Sequence, residues 1–232
     1  MKQYSLSEGS KSYHDEAYIY EHFSQVEDIP GNILRFLEPL VKSKDVLDLG
    51  CGTGKYLVSL APLAKSYCGL DISSDQLGIA KSKVNNICNV NFLCSSAESI
   101  NLPNESIDTI ISTWVLSTIL DEKRRVKALK EAERVLRTNG NIYLVENDIG
   151  GEFEMIRGRY PDITRTKTYN GWVEAQGFKI AKRLNTYFEF ESLEEAKKVI
   201  TSIWGKEAAT KVKGKRIYHK ILIYHKKKSD IE

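Results

Sequence analysis

The chain has 232 residues, 41% of them hydrophobic and 28% charged, with a formal net charge of +3, a balance that fits one soluble domain with a large core. No apolar stretch is long enough to span a bilayer, Met1 to Ser10 lacks a leader's apolar segment, and the four cysteines form no C-x-x-C pair. These features predict a cytoplasmic protein in which Cys51, Cys68, Cys88 and Cys94 are reduced and buried, with no metal site and no membrane partner.

In chain order, helices come first. Tyr13 to Phe23 and Ile33 to Leu40 carry helical spacing. The amino-terminal segment is rich in Tyr4, Tyr13, His14, Tyr18, Tyr20, His22 and Phe23. Tyr13, Ala17, Tyr20 and Phe23 recur at helical intervals and can pack on a sheet as an ordinary amphipathic helix.

The run Val46-Leu47-Asp48-Leu49-Gly50-Cys51-Gly52-Thr53-Gly54 follows, with a helical segment, Lys55 to Lys65, behind it. Val46, Leu47 and Leu49 read as a buried parallel strand. The alternate glycines let the backbone turn sharply and pass close to a ligand, and the helix start offers unpaired amides. Nucleoside cofactors are held in this way at the carboxyl end of a strand. Spacing narrows the choice. A phosphate-cradling P-loop needs four residues between its glycine and Gly-Lys, then Ser or Thr; here Gly50 precedes Gly54-Lys55 by three, and Tyr56 takes the hydroxyl position. A dinucleotide site wants G-x-G-x-x-G, and this chain has G-x-G-x-G. A nicotinamide-dependent oxidoreductase is therefore the weaker alternative. What remains is an adenosine cofactor without phosphate, near which Asp48 is tolerable.

Ser66 to Asp71 reads as a second strand ending in an acid. A carboxylate there can accept hydrogen bonds from both ribose hydroxyls, or Asp71 merely caps the helix beginning near Ser73 or Ser74. The pattern continues with helix Asp75–Val84, strand Val90–Cys94, a loop over 95–105, strand Ile107–Ser112, helix Glu122–Arg137 and strand Asn141–Glu146. Asp121 is a ready cap for the long helix, and Val126, Leu129, Val135 and Leu136 form its apolar stripe. Later, Phe178–Phe190 and Arg216–His225 read as long strands around a helix from Leu193 to Trp204. Strands separated by helices imply an α/β, doubly wound, mostly parallel sheet.

These residues resemble the class I methyltransferases that use S-adenosylmethionine. Val46 to Gly54 is similar to their first motif and Leu70-Asp71-Ile72-Ser73 to their second. Ser96-Ala97-Glu98-Ser99-Ile100-Asn101-Leu102-Pro103 is similar to the adenine-side loop, Ile107 to Ser112 to the fourth strand, and Arg134 to Gly140 to the turn before the fifth. The likeness covers residues 40–150 and continues more weakly to the end. It implies a Rossmann-like, seven-stranded sheet with the last strand antiparallel. The whole of 1–232 would be one methyltransferase domain: a lid over 1–40, a cofactor-binding core over 41–150, and a substrate-side, sheet-completing part over 151–232. It further implies that Gly50, Cys51 and Gly52 bring backbone against the methionine part of the cofactor, with Asp48 and Gly54 shaping the loop. Asp71 would hold the ribose, Ile72 would pack on adenine, Ala97 and Glu98 would flank the base, and Thr113 would lie near the sulfonium. Where the family often has Asp, this chain has Ser96, which keeps a hydrogen-bonding hydroxyl but no charge.

The acceptor is read from what lies outside that core. Tyr20 belongs to the candidate lid, and Trp114 sits just past the fourth strand, lining an acceptor pocket or filling the core. Arg157 and Arg159 lie beyond the carboxyl edge, where they either grip an anionic substrate group or are solvated. His14 and His22 are conceivable bases, and no catalytic residue stands out. An Asn/Asp-Pro-Pro-aromatic motif is absent after Ser112, and Cys88 and Cys94 are misplaced for attack on pyrimidines, so DNA-type acceptors are disfavoured. A small-molecule acceptor is expected. The alternatives are a protein or RNA acceptor, drawn to the lysine-rich stretch from Lys206 to Lys228, and a cofactor-binding protein without transfer activity. That basic stretch can equally be a solvated strand edge and tail.

Overall fold

The computed structural model describes residues 17–230. The readings that fall on Tyr4, Tyr13 and His14 lie outside them. Two helices open the described chain, α1 (Ala17–Val26) and α2 (Asn32–Val41). Between them Asp28 accepts the amides of Asn32 and Ile33 at 2.9 and 3.0 Å, which starts α2.

A single sheet follows, made of β1 (Asp45–Leu49), β2 (Ser66–Asp71), β3 (Val90–Cys94), β4 (Ile107–Thr113), β5 (Leu136–Asn147), β6 (Lys179–Glu189) and β7 (Arg216–Lys227). The spatial order is β3-β2-β1-β4-β5-β7-β6. Neighbours among the first five strands pair in parallel, and β7 runs antiparallel to both β5 and β6. The seven-stranded sheet with an antiparallel last strand is therefore present. The chain leaves β1 toward β2 on one side and returns to β4 on the other, and ligands of open α/β sheets bind at such a reversal.

Apolar residues cover both faces. Leu47, Leu70, Ile110 and Leu144 pack with Ala128, Leu129, Ala132 and Val135 of α5 (Glu122–Val135) on one side. Val46, Tyr67, Ile111 and Val145 pack with Ile33, Leu37 and Val41 of α2 on the other. Each such fully buried aliphatic side chain contributes about 1.5–3 kcal/mol. Asp121 caps α5 as expected, accepting the Arg124 amide at 3.1 Å. The stripe shifts, however: Ala128 and Ala132 are buried where Val126 is only half-buried.

Several expectations need correction. The helix over Lys55–Lys65 is one turn, α3 (Leu57–Leu60), followed by a 3-10 turn over Ala61–Leu63. Pro62 has no amide to donate to Val58, so the α pattern cannot continue. The next helix, α4 (Ser74–Ser82), follows β2. After β5, two helices were not legible: α6 (Glu152–Ile156) and α7 (Thr164–Ala175). The last helix, α8 (Leu193–Thr210), breaks at Gly205 (φ 85°, ψ 171°) directly after Trp204 and then resumes. β7 is not a sheet edge, because β6 lies outside it. All four cysteines are free thiols, but Cys88 and Cys94 are exposed, not buried. Among the described residues no helix is long and apolar enough to cross a membrane, and no group of acids, histidines and cysteines is set to hold a metal.

A third apolar cluster has no counterpart in the reading above. Phe23 of α1, Phe153 and Ile156 of α6, Phe188 of β6, and Ile200 and Ile203 of α8 pack together over the start of β7. This cluster stands above the carboxyl ends of the parallel strands and supplies a roof for the site.

Candidate active site at the carboxyl edge of the sheet

One cavity of about 850 Å³ runs from the glycine loop to the third cluster. Its cofactor half begins where β1 ends. Gly50, Gly52 and Gly54 take φ values of 74°, 55° and 79°, which other residues reach only with strain. A Cβ on Gly50 would lie 2.2 Å from Val115 Cγ2, so no side chain fits. The amides of Gly50 and Cys51 both donate to the Leu70 carbonyl, at 2.7 and 2.9 Å, and the Gly52 amide donates to Asp71 Oδ2 at 2.9 Å.

That arrangement discriminates between cofactors. A phosphate site aims its loop amides at the ligand. Here three successive amides are spent on the end of β2, and the Asp71 carboxylate lines the cavity while Asp48 stands behind the loop. A pyrophosphate would meet acids and occupied donors. An adenosyl group bearing a sulfonium cation would meet a glycine backbone and negative charge. The residues present fit S-adenosylmethionine.

Gly50, Gly52, Asp71, Ile72, Ser96, Ala97, Glu98 and Thr113 all line the cavity, as do Tyr20, Trp114, Arg157 and Arg159. Asp48, Cys51 and Gly54 do not; they act from behind. Asp48 is buried and accepts the Tyr67 hydroxyl at 2.9 Å, and burial pushes its carboxyl up to about 7. The Cys51 thiol packs against Gly69 and is also driven upward by burial, with Asp48 and Asp71 adding to the effect, so it stays protonated. Gly54 lets α4 approach, its missing Cβ facing Ala80 at 3.1 Å.

Asp71 does more than one reading allowed. It holds Gly52 through one oxygen and the Ser73 amide, at 2.9 Å, through the other. The cap of α4 is Ser73, which accepts the Gln76 amide at 3.3 Å. Ile72 is 40% exposed although apolar, which suits a surface for a flat base. Ser96 Oγ already accepts the Glu98 amide at 3.2 Å, and Glu98 is anchored to Arg124 at 2.6 and 2.8 Å.

The acceptor half was only partly legible. His22 faces away and pairs with Glu195 at 2.7 Å, outside the cavity lining. The buried imidazole on the wall is His219, a β7 residue. Its Nε2 lies 2.7 Å from Asn147 Oδ1, and its Nδ1 lies 3.4 Å from Glu27 Oε1, outside hydrogen-bond geometry. Burial lowers the imidazole below its usual range and Glu27 opposes the shift only in part, so the ring is neutral near pH 7. Burial would raise Glu27, but Lys55 Nζ at 2.9 Å and His219 outweigh it and hold the carboxyl below its ordinary range. Trp114, at φ 56°, stacks on His219 with centroids 5.8 Å apart. Nothing short of the folded positions of Glu27, Asn147 and His219 signals that they meet.

The lysine-rich stretch does not gather into one patch. Lys226 is buried against Glu133 at 2.8 Å, Lys228 reaches Glu105 at 3.1 Å, and Lys215 and Arg216 both pair with Glu189.

A doubly wound sheet with a glycine loop at the end of β1 and an acid closing β2 defines a Rossmann-like fold. Residues 47–144 match the profile of a family described as "Methyltransferase domain". The uncharacterized methyltransferase YcgJ of Bacillus subtilis is 27% identical over 72% of this chain and 66% of its own length. The tRNA (carboxymethyluridine(34)-5-O)-methyltransferase of Arabidopsis thaliana is 30% identical over 82% of this chain and 46% of its own. The malonyl-[acyl-carrier protein] O-methyltransferase of a Marinomonas species is 26% identical over 63% and 51%. This chain thus spans about half to two thirds of the length of these curated relatives. The crystal structure of YcgJ superposes with a TM-score of 0.58 at 20% identity, covering 89% of this chain and 98% of that one, a likeness of fold. Residues 47–144 thus carry a methyltransferase domain.

Proposed function

We propose that this protein transfers a methyl group from S-adenosylmethionine to a small-molecule acceptor by direct displacement. The observation that carries the reading is the continuity of the cavity. One space of about 850 Å³ joins the loop whose amides are withheld from phosphate to an aromatic chamber roofed by the third cluster. In this reading Asp71 binds the ribose, Ile72 and Ala97 sandwich the adenine, Ser96 and Glu98 border it, and Thr113 lies at the sulfonium end. When bound, the cofactor supplies an electrophilic methyl group. The protein's part is to align the acceptor behind that methyl and exclude water, which contributes at most about 7–11 kcal/mol in ideal cases. Phe23, Trp114, Phe153 and Trp204 wall the chamber, and α1 with Tyr20 serves as its lid. The neutral His219 ring contributes to the wall as an apolar, stacked surface, with Nε2 held by Asn147 and Nδ1 turned toward Glu27.

Kinship leaves the acceptor open, since relatives are named for malonyl-[acyl-carrier protein] and for carboxymethyluridine in tRNA. The dispersed lysines favour a small acceptor over RNA. The four free thiols support a reducing, cytoplasmic setting. Calorimetry tests the cofactor assignment: S-adenosylhomocysteine binds saturably, NADH does not, and Asp71→Ala weakens binding at least about tenfold through lost charge-assisted bonds. An unchanged dissociation constant in that variant refutes the ribose assignment. A metabolite screen scored by S-adenosylhomocysteine release tests transfer; a silent screen beside intact cofactor binding would favour a protein without transfer activity.

A further inference from the structure

The wall of the cavity farthest from the glycine loop carries an excess of positive charge. Arg157, Arg159, Arg165 and Lys211 line it, from the end of α6, the first turn of α7 and the end of α8. Two carboxylates meet them. Glu154 pairs with Arg157 at 3.2 Å and accepts the Thr166 hydroxyl on its other oxygen at 2.6 Å; Glu207 pairs with Lys211 at 3.6 Å. Leaving Arg159 aside, Arg157, Arg165 and Lys211 meet these two acids among the described residues, which leaves the wall positive.

Arg157 is not the solvated loop arginine that its sequence context permits. Its side chain is 13% exposed, its guanidinium lies 5.2 Å from the Phe153 ring and 6.0 Å from the Trp204 ring, and its Nε has no hydrogen-bond partner among the described residues. Holding a cation there is costly without a partner, and Glu154 supplies one on one side of the guanidinium. Glu154 bridges Arg157 to Thr166, and so places Arg165 of the same turn beside it. Arg165 makes no ion pair among the described residues; burial and its neighbours Arg157 and Arg125 lower its affinity for its proton. Lys211 Nζ comes within 3.8 Å of the position a Cβ would take on Gly158, the residue after Arg157.

A ladder of rings connects this wall to the methyl-donor end. The Phe153 ring is 4.5 Å from His219, and His219 stacks on Trp114 next to Thr113. A molecule with one charged end and an apolar body would therefore lie along the ladder with its other end toward Thr113.

We propose that the methyl acceptor bears an oxyanion group, a carboxylate or a phosphate, seated on Arg157, Arg165 and Lys211 while the atom to be methylated points toward Thr113. This rests on the methyltransferase reading, and the test separates the two. The protein saturated with S-adenosylhomocysteine is titrated with benzoate, phenyl phosphate and the neutral benzamide. At least one oxyanion binds about tenfold or more tighter than benzamide, as a charge-assisted guanidinium contact requires, and the tighter of the two identifies carboxylate or phosphate. Arg165→Gln, at the exposed rim, weakens the oxyanion several-fold and leaves benzamide and S-adenosylhomocysteine unchanged; Arg157→Gln weakens it further. Should Arg157→Gln fail to fold, Arg165→Gln decides alone. Equal affinity for benzamide and both oxyanions, or oxyanion binding indifferent to Arg165→Gln, overturns the proposal. So does tight RNA binding with no small-oxyanion preference. Failure of S-adenosylhomocysteine to bind the wild-type protein would instead overturn the methyltransferase reading.

Discussion

The cofactor half of the cavity comes from short loops at the ends of β1, β2, β3 and β4, whereas the acceptor half is gathered from α1, β5, α6, α7, α8 and β7. In the first, backbone does the work: glycine φ angles, loop amides bonded to Leu70 and Asp71, and a carboxylate at a strand tip. In the second, side chains do: stacked aromatics, a buried histidine and arginines of graded exposure. A ligand that is the same for every turnover can be met by backbone, whose geometry tolerates few sequences. A ligand that varies among related enzymes is met by side chains, each of which can be exchanged without disturbing a strand.

That contrast can be broken at Gly50. Its φ of 74° costs a non-glycine residue roughly 1–3 kcal/mol, and a Cβ there collides with Val115 at 2.2 Å. Gly50→Ala is expected to abolish detectable S-adenosylhomocysteine binding in calorimetry and to lower the melting temperature. Trp204→Leu, an acceptor-side change, is expected to leave that binding intact. If the alanine variant binds normally, backbone precision is not what the first half depends on.

The same contrast explains what the sequence made legible. Glycines at alternate positions, Asp71 and the Asp121 cap are local signals, complete within a few residues, and each predicted its own structure. Glu27, Asn147 and His219 are separated by most of the chain and meet only after β7 has inserted between β5 and β6. His219 alternates with Tyr218 and Lys220 like any strand residue. The helix Thr164–Ala175 escaped because threonines and Gly171 dilute its propensity; its burial comes from Thr166, Asn170 and Val173, too few apolar residues to make a stripe. Cys88 and Cys94 looked buried beside predicted elements, but β3 is the outer strand and leaves them open.

A second change sharpens the comparison from behind the loop. Asp48 has an ordinary carboxyl value of 3.8 that burial raises to about 7 in the fold. The folded state thus binds more protons than the unfolded chain between these values, so this group's contribution falls as pH rises from about 4 to 7 and is a fixed cost above. Asp48→Asn keeps an acceptor for the Tyr67 hydroxyl and cannot ionise. Its stability relative to wild type should therefore climb across that window and level off near pH 8, by at most about 4 kcal/mol for a shift of this size. Denaturant unfolding at a series of pH values measures it. A difference that stays flat with pH would mean Asp48 is ionised in the fold, and the loop would carry a full negative charge toward the cofactor at neutral pH.

The smallest effect is expected where the two halves touch. Tyr20 reaches from α1 to within 3.1 Å of the place a Cβ would occupy on Gly52, so an acceptor-side helix closes over cofactor-side backbone. A ring face near a sulfonium is attractive by about 0.5–1 kcal/mol at a partly exposed site, or two- to fivefold in affinity. S-Adenosylhomocysteine is a neutral thioether and gains nothing of the kind. Tyr20→Leu retains an apolar cover and removes the ring's charge distribution. It should weaken S-adenosylmethionine by that factor and spare S-adenosylhomocysteine, lowering the preference for substrate over product cofactor. Equal loss for both ligands would assign Tyr20 to packing of the lid alone, and no loss for either would detach α1 from the cofactor half altogether.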